Sequence, residues 1–323
     1  MGHSDLRSWW LPPVIVGLVA QLTGCASAVP PSAAPPVPGT MSGVRIVDPD
    51  ERETIAAAQL LERLGEAHVV FFGEQHDDPE THRIESELLE ALGRSGRPVV
   101  LSLEMFERDV QPALDDYLAG RLSESDFLAR SRPWPRYATD YRPLVEMAKA
   151  RRWPVIAANV PRPLASAVAR RGIVALDTLT LAERAVAARE IVCPDDDYRA
   201  RFLQEMRGHG PVSGTSAQPG DTLPSASAER FYLSQCVKDE TMAESIVESR
   251  RRIAPNALVL HVNGAFHSDY GQGTVERVRR REPRWRLVVV SAVPVRDPAL
   301  APIAPHSGRG DAVIFTQRAS APR

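Results

Sequence analysis

Short, continuous apolar runs alternate with amphipathic stretches from residue 44 onward. "VRIVD", "HVVFF" (68–72), "PVVLSLEMF" (98–106), "WPVIAAN" (153–159), "NALVLHVNG" (256–264) and "RWRLVVVSAV" (284–293) read as strands. Between them, 54–67, 79–96, 141–152 and "TVERVRRRE" carry apolar residues at helical spacing. "ALDDYLAG" and "SESDFLARS" read as two short helices, and "DAVIF" (311–315) as an edge strand. Strands without internal alternation, separated by helices, predict an α/β fold: an open, mainly parallel sheet with helices on both faces. Residues 163–255 break the rhythm with three helical stretches, near 163–171, 180–207 and 228–252, and predict a helical cap insertion. Within it, 208–228 is rich in Gly, Pro, Ser and Thr and reads as a loop.

The polar residues cluster where the apolar runs stop. "HVVFF" runs into Glu74, His76 and Asp77; "VVLSL" into Glu104; "PVIAA" into Asn159; "LVLHV" into Asn263 and His267. Ligands of open parallel sheets bind in the crevice beyond the carboxyl ends of the strands. These residues, distant in sequence, are therefore expected to converge on one pocket. Asp78, followed by Pro79, reads as a helix cap. His261, inside its strand, reads as a core histidine, and His82, on a helix, as a surface one. Glu74, His76, Glu104 and His267 offer two chemistries. They are a ligand set for a divalent metal that activates water, or a metal-free general base for hydrolysis. The spacing leaves both open, and no HExxH, Walker or Gly-x-Ser-x-Gly motif is present.

The N-terminus changes the expected setting. "WWLPPVIVGLVAQLTGC" is a short apolar segment broken by Pro12 and Pro13, ending in small residues before Cys25. This resembles a bacterial lipoprotein processing box, which implies cleavage before Cys25 and its lipidation. Residues 1–25 are then a signal segment and 26–43 a Pro/Ala-rich tether, with the folded domain spanning 44–323. Ala26 after the cysteine points to the outer membrane, with the domain facing the periplasm. An oxidising compartment permits a bond between Cys193 and Cys236. The net charge of -2 and pI near 6.5 give no sign of a nucleic-acid partner.

"GEQHDD", "LSLEMFERDVQPALDDYLAG", "VIAANVPR", "YLSQCVKDETMA" and "VNGAFHSDYG" resemble the ChaN-like lipoproteins of the TIKI superfamily, from about residue 45 to about 292. The resemblance implies haem binding in bacterial iron uptake; other branches of the superfamily are metal-dependent peptidases and erythromycin esterases. It implies a site at Glu74, His76, Glu104 and His267. It transfers no haem ligand. Haem iron is held by His, Met or Tyr among other residues, and the cap offers Tyr198, Met206 and His209 for that role. Trp134, Tyr137 and Tyr141 read as packing beneath the cap. The expected partners are haem, or a small-molecule or peptide substrate, with a homodimer able to enclose a haem over the crevice.

Overall fold

The computed structural model describes residues 41–208, 225–253 and 256–318. Cys25, most of the tether and His209 lie outside these residues.

Eight strands form one sheet: β1 (Arg45–Asp48), β2 (Glu53–Thr54), β3 (Val69–Glu74), β4 (Val99–Glu107), β5 (Val155–Asn159), β6 (Leu258–Gly264), β7 (Leu287–Val295) and β8 (Ala312–Gln317). Their order is β2-β1-β8-β7-β3-β6-β4-β5. β8, β7, β3, β6, β4 and β5 are mutually parallel, while β1 pairs antiparallel with both β2 and β8. The stretch expected at an edge, "DAVIF", is thus interior. β1 folds back against it and takes its free side.

The helices are α1 (Ala57–Gly65), α2 (Pro79–Gly93), α3 (Gln111–Leu118), α4 (Glu124–Ser131), α5 (Tyr137–Asp140), α6 (Arg142–Arg151), α7 (Arg162–Arg171), α8 (Leu181–Arg184), α9 (Asp197–Gly208), α10 (Ser225–Ile253) and α11 (Thr274–Arg281). The expected helical stretch 180–207 is two helices, α8 and α9. The chain between them is tied to α10 by the Cys193–Cys236 disulfide, with Cα atoms 5.7 Å apart.

Alternation along the strands divides the core in two. Val70 and Phe72 of β3 and Leu101 and Leu103 of β4 pack with Leu60, Ile84, Leu88 and Leu144, beneath α1, α2 and α6. Val69, Phe71 and Val100 point the other way, onto Ala243, Ile246 and Val247 of α10 and Val275 and Val278 of α11. Both strand faces are buried, which is why these runs lack polar alternation. α10 belongs to the sheet's cover and not only to a cap, since it packs along β5, β4 and β6.

α2 starts where expected. The Asp78 carboxylate accepts the Thr81 N–H at 3.0 Å, and Pro79 occupies the first turn. Ile84, Leu88, Leu89 and Leu92 then form its apolar stripe.

Candidate functional site

A crevice of about 770 Å³ opens beyond the carboxyl ends of the parallel strands. Glu74, His76, Glu104, Asn159 and His267 all line it. Asp77 is exposed outside this lining. Asn263 is fully buried below it and donates to Gly264 O (2.8 Å) and Ser268 Oγ (3.0 Å).

Strand parity decides how the two glutamates enter the crevice. Glu104 shares parity with Val100 and leaves β4 on the α10 side. Its Oε2 accepts the Gly264 N–H at 2.7 Å, and its Oε1 lies 3.3 Å from His267 Nε2. His267 Nδ1 lies 2.7 Å from Asp239 Oδ1. Asp239, in the middle of α10, also accepts from Thr274 (2.8 Å) and from the Tyr198 hydroxyl (2.7 Å). Burial opposes charge on His267, but Glu104 and Asp239 on its two sides outweigh it and push its pKa up to about 9. Burial likewise disfavours ionised Glu104, yet His267, His76 and the Gly264 N–H hold its carboxyl well below the usual range. Asp239 is also held low, against burial, by His267, Arg277 and Tyr198. The unit is a buried carboxylate–histidine–carboxylate relay.

Glu74 shares parity with Phe72 and leaves β3 on the α2 side. Its Oε1 meets His76 Nδ1 at 2.5 Å and accepts the Tyr141 hydroxyl at 2.7 Å. The His76 ring projects into the crevice with nearly half of its side chain exposed and packs edge-on against Trp134 at 4.9 Å. Burial lowers the His76 pKa, but the bond to Glu74 and the charge of Glu104 carry it above the ordinary histidine value. A Cβ at Gly264 would lie 2.8 Å from His76 Nε2, so glycine there leaves the ring its place.

The four residues share the crevice as two pairs, Glu74 with His76 and Glu104 with His267. Among the described residues, the His, Cys and carboxylate side chains whose ligand atoms lie within 4.8 Å of one another are Glu74, His82 and Glu85. His82, expected at the surface, is buried: its helix face turns onto the end of β3, with Nδ1 3.1 Å from Glu85. His261 is a core histidine as expected; its Nδ1 lies 2.9 Å from Ser102 Oγ, and burial pulls its pKa down to about 3.

The cap residues proposed for haem fare differently. The Tyr198 hydroxyl is buried and donates to Asp239, so it is not available as an iron ligand. Met206 is half-buried on α9 outside the crevice lining. Tyr137 and Tyr141 sit in the core under α2, whereas Trp134 lines the crevice.

Three residues escaped the sequence reading. Asp239 lies in "KDET", which reads as a solvated turn of helix. Arg201 and Tyr270 line the crevice, with the Arg201 guanidinium 5.0 Å from the Tyr270 ring centroid. Tyr270 has φ 65, the left-handed region that a bulky side chain rarely adopts. Its signal in sequence was the dipeptide Tyr270-Gly271 directly after the His267 segment.

A curated relative, "Protein RETICULATA-RELATED 5, chloroplastic" of Arabidopsis thaliana, is 24% identical over 247 residues, 73% of this chain. The chain spans about a third (32%) of that relative's length. The structure reported as "Cofacial heme binding to ChaN of Campylobacter jejuni" superposes with a TM-score of 0.61 at 16% identity, covering 85% of this chain and 97% of that one. A Bacillus cereus protein superposes at TM-score 0.47 and 11% identity, over 80% of this chain and 90% of its own. The first of these structures shares the fold. The family model described as "Haem-binding uptake, Tiki superfamily, ChaN" matches residues 60–278, well over half of the sequence, and the chain belongs to that family.

Proposed function

We propose that this protein carries haem as cargo in the crevice, in haem-linked iron uptake, anchored to the outer membrane through lipidated Cys25 with its domain facing the periplasm. The observation that carries the haem reading is Tyr270. It is 39% exposed on the crevice wall, and its strained backbone is of the kind that clusters at functional sites. Tyrosine and histidine both ligate haem iron, and Tyr270 and His76 are the exposed donors of those types lining the crevice. The crevice chemistry fits the rest of the molecule. Trp134, Pro135, Val160 and Phe266 supply apolar wall for the porphyrin. Lys238, with no ion-pair partner among the described residues, and Arg201 supply cations for the propionates. The crevice is open, and a second copy of the chain is the proposed cover for the exposed porphyrin edge.

The experiment is a haemin titration of the full chain followed in the Soret region. The wild type should give a saturable shift. Tyr270→Phe should move or abolish it, while Glu104→Gln, which removes a charge but no Tyr or His donor, should leave a saturable shift in place. A wild type with no saturable change discards the haem reading.

A second reading is supported by the Glu74–His76 pair. A carboxylate on Nδ1 orients the imidazole and leaves Nε2 to take a proton from water, as in hydrolytic triads. Glu74→Gln and His76→Ala should each remove ester or peptide hydrolysis; hydrolysis that survives in both variants discards this reading.

A further inference from the structure

Beneath the crevice floor, on the α2 side, lies a second cluster of ionisable groups. His82 and Glu85 are one helical turn apart on α2 and face Glu74 at the end of β3. All three are buried, with 4%, 0% and 1% of their surface exposed. Tyr141 and His76 occupy Glu74 Oε1, but Glu74 Oε2 and Glu85 Oε1 have no hydrogen-bond partner. Buried polar atoms are nearly always satisfied. Two buried carboxylates with orphan oxygens side by side need a cation or a shared proton between them. The nearby Asp140 does not share this need, because Arg136 (2.7 Å) and Thr139 (2.7 Å) already satisfy its oxygens.

The spacing suits a cation. His82 Nδ1 is 3.1 Å from Glu85 Oε2 and 3.7 Å from Glu74 Oε2. Ligands about 2.0–2.2 Å from a tetrahedral ion stand roughly 3.3–3.6 Å from one another. The outer shell fits as well. A metal-bound histidine characteristically donates its other ring N–H to a carbonyl or carboxylate. His82 Nε2 has both in reach, His76 O at 3.2 Å and Asp140 Oδ2 at 3.4 Å.

We propose that Glu74, His82 and Glu85 hold a divalent transition-metal cation, of the zinc or manganese kind, beneath the crevice floor. One nitrogen and two carboxylate donors suit these ions. The site is separate from the proposed haem position and stands without it. Glu74 is its link to the crevice: one oxygen faces the ion and the other holds His76. The competing way to neutralise the cluster is a proton shared by Glu74 and Glu85.

The test is metal uptake by the full chain, stripped with a chelator and then titrated with Zn(II) and with Mn(II). Calorimetry and elemental analysis should show one ion per chain, and binding should raise the melting temperature. Glu85→Gln and His82→Gln should weaken uptake by more than the roughly 10–100-fold that outer-shell partners command. Glu104→Gln and His267→Gln, on the other face of the sheet, should keep the stoichiometry. Circular dichroism checks that each variant is folded, and the wild-type stoichiometry decides if one is not. A stripped wild type that takes up neither metal overturns the proposal in favour of the shared proton. Uptake abolished by Glu104→Gln but kept in Glu85→Gln overturns it too, by placing the ion in the crevice.

Discussion

Glu74, the last residue of β3, and Glu104, inside β4 just past its regular pairing, belong to strands that flank β6, and they leave the sheet on opposite faces. On the α10 face, both oxygens of Glu104 are matched, by the Gly264 N–H and by His267. His267 is backed in turn by Asp239, and Asp239 by Thr274 and Tyr198. On the α2 face, Glu74 crowds two partners onto one oxygen and leaves the other beside Glu85 with none. The residue types are alike and the burial is alike. The difference is the supply of donors. A buried carboxylate with a full set of donors holds the fold together; one with an incomplete set strains it, or waits for a ligand.

The sharpest way to break this contrast is to remove a member of the satisfied set. Asp239→Ala leaves His267 with a buried charge and deprives Tyr198 and Thr274 of their acceptor. Breaking a buried pair costs about 3–5 kcal/mol, so that loss is expected in denaturant unfolding. Asp239→Asn, which keeps an acceptor but not the charge, should lose less. Equal losses in the two variants would mean that charge contributes nothing to the relay.

pH tests the same set. A solvated histidine gives up its proton near 6.5, whereas folded His267 holds it to about 9. Its ion pairs therefore contribute fully below pH 6.5 and are lost as pH rises through 9, a change of about 3 kcal/mol. The melting temperature of the wild type should fall over that window, and His267→Gln should flatten the fall. Glu104 and Asp239 act in the opposite direction: depressed carboxylates stabilise above their ordinary range and lose that contribution as pH drops below it. A wild type equally stable at pH 6.5 and 9 would show that His267 is neutral.

The smallest effect is expected on the unsatisfied side. Burial, with the charge of Glu74 beside it, drives the Glu85 pKa well above the usual carboxylate value. Glu85→Gln in metal-free protein removes an ionisable group that lacks a full set of donors. Its cost should be near zero, or a gain of up to about 1 kcal/mol. A loss as large as that of Asp239→Ala would show that Glu85 is as well partnered as Asp239, and the contrast would fail.

How much of this was legible follows from the range of each signal. The apolar runs marked six strands because burial on both faces removes polar alternation, and that is a local property. Their polar ends marked the crevice for the same reason: where a buried parallel strand stops, its chain turns outward at the ligand-binding edge. Asp78-Pro79 carried its own cap chemistry and needed no distant partner. The relay was only half readable. Glu104 and His267 stood out against apolar neighbours, but Asp239 sits among Lys238, Glu240 and Glu244, which together read as a wet helix face.

Tertiary structure decided what depends on a neighbour from far along the chain. "DAVIF" has the same apolar pattern at an edge or inside the sheet, and only β1, pairing from the N-terminal end, makes it interior. His82 is polar, on a helix, in an acidic stretch, so local pattern places it outside; the end of β3 and Asp140 bury it. Tyr198 has a plausible iron-binding hydroxyl until α10 brings Asp239 within 2.7 Å. Periodicity along one element sets which residues share a face. It carries no information about which element covers that face, and for a buried charge the identity of that cover separates a satisfied pair from an open site.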